Sequence, residues 1–199
     1  MSDKIDWDKV FFTADQHWGH ENIIRYEARP FPSVLAMDEY LIRRWNEVVP
    51  EDGIVYHLGD LSLKGWAYVR AILARLNGEI RMLSNPWHHD QYWLKDKKLS
   101  LSNLYKAGYL SLLPPLVVLD IDEPEFMKDG YPRGLTLCHY PFAEWDRKHH
   151  GAWHIHGHSH GNYPGDDEPG IIDCGVDAVQ YVHDYGPLPF REAARRLSQ

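Results

Sequence analysis

The chain has 199 residues, of which 44% are hydrophobic and 25% are charged, as is typical of a single globular domain over residues 1–199 rather than of a disordered or collagen-like chain. Its net charge of −8 disfavours binding to extended nucleic acid, because phosphate backbones require a basic surface. We expect a cytoplasmic protein without a membrane partner, since no apolar run approaches the roughly 18 residues of a membrane span and the first residues are too polar for a secretion signal.

The first half of the sequence alternates strand and helix patterns. Short apolar runs predict strands over residues 10–14, 54–58 and 79–83. An amphipathic helix is predicted to begin after Ser33, a typical N-cap residue, and to end before Pro50. A second helix is predicted to end at Asn77-Gly78, because glycine adopts the left-handed conformation that closes helices. This β-α-β-α-β order predicts a layered α/β fold.

The second half has a different pattern. Four further strands are predicted over residues 116–121, 134–139, 153–157 and 171–175, with no long helix between them. We therefore expect a second sheet that is more antiparallel than the first. Segment 86–112 is predicted to be helical in part.

Side chains that bind metals follow five of these strands. Open α/β sheets place their ligands beyond the carboxyl ends of strands, so these positions are candidates for one site. Alternate residues of extended chain share a side, which would bring Asp15 towards His17 and His158 towards His160. The remaining candidates follow the other strands and are Asp60 after Gly59, Asn85, and His139.

In this order, the patterns Asp-x-His, Gly-Asp, Asn, His and Gly-His-x-His resemble the calcineurin-like metallophosphoesterase family. The resemblance covers nearly the whole chain, including residues 11–22 (FFTADQHWGHEN) and the stretch from Arg29-Pro30-Phe31 to Asp60, which is similar to small bacterial and phage members. It implies a four-layer αββα sandwich in which two mixed β-sheets are flanked by helices. It also implies a dinuclear metal centre at one edge of the sheets.

Carried over by position, the resemblance implies two sets of ligands that share Asp60. The first metal would be held by Asp15, His17, Asp60 and His160, and the second by Asp60, Asn85, His139 and His158. These donor types suit two divalent transition-metal ions, with Mn²⁺ the first expectation and Fe, Zn²⁺, Ni²⁺ or Co²⁺ as alternatives. Two such ions lower the pKa of a bridging water, so that hydroxide attacks a phosphoester in line without a covalent intermediate.

One segment departs from the family pattern. The usual Gly-Asn-His-Asp is replaced by Ser84-Asn85-Pro86-Trp87-His88-His89-Asp90, so the histidine expected directly after the asparagine is displaced. A histidine at this place would act as the general acid that protonates the leaving group. His89 is the first candidate because it preserves the His-Asp step, and His88 is the second.

Several nearby polar residues have two interpretations. His20 and Asn22 either line a phosphate pocket or pack within the first ligand loop. Asp173 and Asp177 either orient ligand histidines or occupy ordinary turns. His57, inside an apolar run, is predicted to be a core histidine with satisfied hydrogen bonds.

The sequence thus predicts a metal-dependent phosphoesterase with a small phosphoester substrate, a phosphodiesterase in the first instance. A nuclease or nucleotide phosphatase using the same metals is one alternative. A scaffold of this family that has lost catalysis and serves as an interaction module is another, motivated by the altered segment after Asn85.

Overall fold

Two mixed β-sheets pack against each other in the computed structural model, which describes residues 5–85, 89–95 and 110–199. The strands are β1 (Val10–Thr13), β2 (Ile54–His57), β3 (Glu79–Leu83), β4 (Ser111–Leu113), β5 (Leu116–Ile121), β6 (Arg133–Cys138), β7 (Trp153–His156), β8 (Ile171–Asp173) and β9 (Leu188–Pro189). The α-helices of the described residues are α1 (Glu21–Tyr26), α2 (Val34–Val48), α3 (Trp66–Leu73), α4 (Gln91–Leu94), α5 (Val176–His183) and α6 (Phe190–Leu197).

Each sheet combines parallel and antiparallel pairs. The first sheet has the order β4-β3-β2-β1-β9, in which only the β1–β9 pair is antiparallel. The second has the order β5-β6-β7-β8, in which β5 and β6 are antiparallel while β6, β7 and β8 are parallel. The second sheet is the more antiparallel of the two, as expected, because its β5–β6 pair runs over six residues whereas β1–β9 runs over two. The parallel pairs within the second sheet were not expected. Parallel neighbours need a crossover of a dozen or more residues, and the irregular segments 139–152 and 157–170 are long enough without a long helix.

The core is divided by the first sheet. Between the two sheets lie apolar side chains of both, such as Phe12 and Leu137, together with Phe190 of α6. On the other face of the first sheet, α2 and α3 cover Val55 and Ile80. An α/β sandwich with two mixed sheets is therefore confirmed.

Helix α2 shows how the sequence produces this packing. The hydroxyl of Ser33 accepts a hydrogen bond from the backbone N–H of Ala36, as an N-cap residue should. Met37, Leu41 and Trp45 recur at four-residue spacing and are all buried against the first sheet. This spacing is the reason that the predicted helix agrees with the observed one.

Other features of the fold complete the comparison with the sequence. The strands β4 and β9 were not predicted, because three- and two-residue strands carry too few residues for a period-2 pattern.

Both cysteines are buried and unbonded to each other. Within the described ranges, no α-helix combines the length and the apolar character needed to cross a bilayer.

Candidate metal centre

The loops that follow β1 and β2 are joined by backbone hydrogen bonds. The N–H of Asp15 donates to the carbonyl of Gly59 (3.1 Å), and the N–H of His17 donates to the carbonyl of Asp60 (3.1 Å). These bonds extend the parallel pairing of β1 and β2 beyond the strands themselves. The side chains of both loops are thereby fixed at the carboxyl edge of the sheet.

The Asp60 carboxylate is the centre of the cluster. Its Oδ2 lies 3.7 Å from Nε2 of His17, 3.7 Å from Nε2 of His139 and 3.9 Å from Nε2 of His89. These distances are too long for hydrogen bonds. They fit within the roughly 4.2 Å that two ligand atoms can span when each is ~2.0–2.2 Å from a shared zinc-like ion.

Asp15, His17 and His160 form one side of the cluster. One ligand atom from each lies within 4.8 Å of those of the other two, and the rings of His17 and His160 stack at 5.4 Å with 14° between their planes. The second carboxylate oxygen of Asp15, Oδ2, accepts a hydrogen bond from the backbone N–H of His158 (2.8 Å), which joins the first ligand loop to the fifth.

The other side of the cluster is formed by His139, which shares a second such group with Asp15 and Asp60. The ring of His158 lies 5.1 Å from that of His139, but its side chain is exposed, and the tight groups found among the described residues do not include it. Asn85 is buried just after β3, at the same edge of the first sheet. Five of the seven proposed ligands are thus within 4.8 Å groups, and His158 and Asn85 flank them.

Three buried polar atoms at this centre make no hydrogen bond to any part of the chain that the structure describes. They are Oδ1 of Asp15 and both ring nitrogens of His17. A buried polar group without a partner costs about 1–3 kcal/mol, so such groups in one place indicate a missing ligand. Burial raises the pKa of Asp15 well above its usual range and lowers that of His17 well below it. A cation that contacts both Asp15 and His17 would remove the free-energy cost of their unpaired atoms.

Asp177 orients His160, one of the proposed ligands. Its carboxylate accepts a hydrogen bond from Nδ1 of His160 (2.7 Å), which places the proton there and leaves Nε2 for a metal. Burial opposes protonation of His160, but this hydrogen bond and the charges of Asp15 and Asp177 outweigh it and raise its pKa to about 9. Of the two interpretations of Asp177, the orienting one agrees with these contacts.

Arg29 links Asp177 to the first ligand loop. Its guanidinium donates to both carboxylate oxygens of Asp177 at 2.8 and 2.7 Å, and to the backbone carbonyls of Asp15 (2.7 Å) and Gln16 (2.8 Å). This supporting role was not predicted from the sequence. The available signal was an arginine that lies close to the first ligand loop in the chain.

Two further carboxylates hold ligand loops in place. Asp173 accepts hydrogen bonds from the Ser159 hydroxyl and the Gly161 N–H, so it fixes the turn that carries His158 and His160. Asp90 accepts from the N–H groups of Leu61 and Ser62, directly after Asp60. Burial raises the pKa of Asp90 to about 7.

Five of the seven proposed ligands adopt left-handed backbone conformations. The φ angles are 64° for Asp15, 52° for His17, 55° for Asp60, 71° for His158 and 49° for His160. Only a few per cent of non-glycine residues do so, and such residues concentrate at functional sites. The expectation that Asp15 and His17, and likewise the later histidines, lie on extended chain was therefore wrong. The chain turns sharply at each of these five residues, and Asp15, His17 and His160 thereby converge in one group.

His89, the first candidate for the acid, lies at the edge of this cluster. Its backbone N–H donates to Oδ1 of Asp60 (3.0 Å), its ring lies 5.5 Å from that of His17, and its side chain is 51% exposed. It therefore faces both the cluster and solvent, as a donor to a bound substrate must. His88, the second candidate, lies outside the described residues.

The neighbouring histidines have other partners. His57 contacts Oε1 of Gln16 through Nε2 (2.6 Å) and accepts the N–H of Gly59 through Nδ1, as a satisfied core histidine would. His156, in strand β7, contacts the Gly157 carbonyl through Nδ1 (2.8 Å) and Asp166 through Nε2 (2.7 Å).

No known protein-family profile matches this sequence. It is 28% identical over 197 residues to the Gene 66 protein of Mycobacterium phage D29, covering 90% of this chain and 92% of that one. The structure is similar to the crystal structure of AQ665 from Aquifex aeolicus, a protein of unknown function, with a TM-score of 0.64, 21% identity, and coverage of 94% of this chain and 97% of that one. That likeness shows the shared fold alone.

A stronger sequence match is to the uncharacterized protein MJ1445 of Methanocaldococcus jannaschii, which is 33% identical over 181 residues, covering 87% of this chain and 84% of that protein. The chain therefore belongs to the same protein family as MJ1445.

Proposed function

We propose that this protein is a metal-dependent phosphoesterase that hydrolyses small phosphodiesters. The observation that carries the proposal is the arrangement around Asp60, where three imidazole nitrogens surround one carboxylate oxygen at 3.7–3.9 Å. The order of the ligand residues along the chain, which resembles that of the calcineurin-like metallophosphoesterases, supports this reaction over other uses of a metal centre.

The donor set fits two divalent transition metals. Asp15, His17, Asp60 and His160 would hold one ion, and Asp60, Asn85, His139 and His158 the other. Imidazole and carboxylate donors suit Mn²⁺, Fe, Zn²⁺, Ni²⁺ or Co²⁺, whereas Ca²⁺ takes six to eight oxygens. When bound, such ions supply a water of lowered pKa and neutralise charge on the phosphoryl oxygens.

The chain's own residues provide the remaining functions. Asp60 offers Oδ2 to one side of the cluster, and its Oδ1 is held by the His89 N–H, so the carboxylate has a fixed orientation. The ring of His89 at the solvent-facing edge donates a proton to the departing alkoxide. Arg29 and Asp177 keep the first ligand loop and His160 in position.

The test is metal analysis followed by hydrolysis of bis(4-nitrophenyl) phosphate and 4-nitrophenyl phosphate in Mn²⁺, Zn²⁺, Ni²⁺ and Co²⁺. We expect about two ions per chain and faster turnover of the diester. The variant His149→Ala is the matched control, because His149 is an exposed histidine that belongs to neither proposed ligand set. Two bound ions with no hydrolysis of either ester or of a short oligonucleotide would contradict the proposal and favour a non-catalytic module. Faster hydrolysis of the oligonucleotide than of either ester would indicate a nuclease instead.

A further inference from the structure

His20 is fixed in one tautomer by helix α1. It is the N-cap residue of that helix, and its Nδ1 accepts a hydrogen bond from the backbone N–H of Ile23 at 2.9 Å. A nitrogen that accepts cannot carry a proton, so the proton is on Nε2. The imidazole therefore presents one neutral N–H donor, and the described residues offer this Nε2 no acceptor.

This donor lies beside the candidate metal centre. The ring of His20 is 5.9 Å from that of His17, and the N–H of His20 donates to the carbonyl of His17 (3.0 Å). The intervening Gly19 donates its N–H to Asp38 (3.0 Å), which also accepts from the Tyr68 hydroxyl. The loop is thus tied to α2 and α3, and the half-buried imidazole has little freedom to move.

Lys64 adds a positive charge at the same place. Gly19 has a φ of 77°, and a Cβ on it would lie 2.6 Å from Cγ of Lys64, so the lysine stem crosses the loop where only glycine leaves room. Lys64 forms no ion pair within the ranges that the structure covers.

An N-cap alone does not account for a histidine. Serine, threonine, aspartate and asparagine are the preferred caps, and α2 uses Ser33 in that role. The imidazole accepts the Ile23 N–H through Nδ1, and its protonated Nε2 remains as a donor for another group. A neutral donor beside an ammonium group matches the oxygens of a phosphoryl group, which accept hydrogen bonds and carry negative charge.

We propose that Nε2–H of His20, with the ammonium group of Lys64 beside it, binds a non-bridging oxygen of the substrate's phosphoryl group. This proposal rests on the proposed function, because it assigns to His20 the substrate of that same centre. It makes His20 a substrate-binding residue distinct from the metal ligands and from His89.

The decisive variant is His20→Asn, which retains a good cap for α1 but is too short to place a donor where Nε2 lies. We expect KM for bis(4-nitrophenyl) phosphate and the inhibition constant of inorganic phosphate to rise about 10–100-fold, as when a hydrogen bond to a charged group is lost. The value of kcat should change less, and metal content should be unchanged. Lys64→Met should raise the same two constants by a smaller factor, and His149→Asn should leave them unchanged.

His20→Ala separates the two roles, because it loses both the cap and the donor. If His20→Asn matches the wild type in KM and in phosphate inhibition while His20→Ala only unfolds more readily, His20 is a cap and the proposal is overturned. The wild-type turnover tests the proposed function separately. If the wild type lacks turnover, calorimetric titration of the Mn²⁺-loaded protein with inorganic phosphate tests whether His20 binds a phosphoryl group. Binding that His20→Asn weakens supports the assignment, and no binding by the wild type overturns it.

Discussion

Buried histidines occur both in the strands of this protein and in the loops that follow them, and the two regions differ in what the ring nitrogens contact. In strand β7, His154 bonds the Thr136 carbonyl through Nδ1 (3.0 Å) and accepts the Phe142 N–H through Nε2 (3.2 Å). In the loop after β1, neither nitrogen of the equally buried His17 has a hydrogen bond to a described residue. Burial therefore does not separate His154 from the proposed ligand His17, whereas the unmet hydrogen-bonding capacity of His17 does.

The strongest test of the loop region is Asp60→Asn. We expect loss of all measurable hydrolysis with the fold retained, because an amide removes the negative charge that two cations would share. Diester turnover and circular dichroism are the measurements, with Asp52→Asn as the control because Asp52 is exposed and pairs only with Lys9 among described residues. Near-wild-type turnover by Asp60→Asn would refute the central role of this carboxylate.

The next largest effect is expected for His89→Ala. A positioned general acid is worth about 10²–10⁴-fold, and an alkyl leaving group needs the proton far more than a nitrophenolate does. The loss of kcat should therefore be large for an alkyl phosphodiester and small for the nitrophenyl ester, with metal content unchanged. Equal losses for both esters would assign His89 to another role, and His88→Ala is the variant to compare next.

The structural role of His154 in strand β7 can be tested by measuring the free energy of unfolding at low pH. Burial lowers the pKa of His154 to about 4, below the ~6.5 of an unfolded histidine, so the unfolded state takes up the proton first. The contribution of His154 is complete above about pH 6.5 and is lost as the pH falls towards about 4, a change of about 3 kcal/mol in the free energy of unfolding. Urea unfolding of the metal-free protein at pH 7 and 4.5 should show a smaller pH effect in His154→Leu. Identical pH effects in both proteins would show that His154 does not act this way.

Replacing a buried histidine usually destabilises a protein, but His17→Leu is expected to stabilise the metal-free form. It removes two unpaired nitrogens, so the metal-free protein should gain about 1–3 kcal/mol in its free energy of unfolding while metal binding weakens. His57→Leu is the matched comparison, because it strips partners from Gln16 and from the Gly59 N–H and should destabilise. If both variants destabilise equally, the distinction between the two regions fails.

A further test of the loop region is the pH dependence of metal affinity. Because the Asp177 hydrogen bond and nearby carboxylates outweigh burial, the pKa of His160 is raised to about 9, and metal-free His160 is protonated at neutral pH. An ion must displace that proton, so affinity at this position should rise up to about tenfold per pH unit below pH 9, with one proton released per ion. Calorimetry in buffers of different ionisation enthalpy measures the release. The dependence should weaken in Asp177→Asn, and pH-independent affinity in the wild type would contradict the assignment.

The sequence predicted repeating elements better than the geometry between them. β3 and β5 agree with the predicted bounds because their apolar runs end at clear turn residues. The parallel pairing of β6, β7 and β8 was not predictable from their patterns, since period-2 alternation does not encode strand direction. It depends on the length and path of the connections.

In the candidate site, too, the residues were predictable but the geometry between them was not. Residue type and position after strands were enough to nominate Asp15, Asp60 and His139, which the structure brings together. The sharp left-handed turns at the ligands leave no mark in a sequence, because aspartate and histidine are also common in ordinary conformations. Supporting contacts such as Arg29 with Asp177 join residues 148 positions apart and are not visible in local patterns.

That long-range pair has a consequence for how the protein is made. Arg29 holds the backbone of the first ligand loop, yet its carboxylate partner Asp177, which also orients His160, is synthesised near the end of the chain. During translation, the nascent polypeptide therefore carries Asp15 and His17 for most of its synthesis without the group that locks them in place. On the proposed function, the first metal position is complete only after residue 177 has been synthesised.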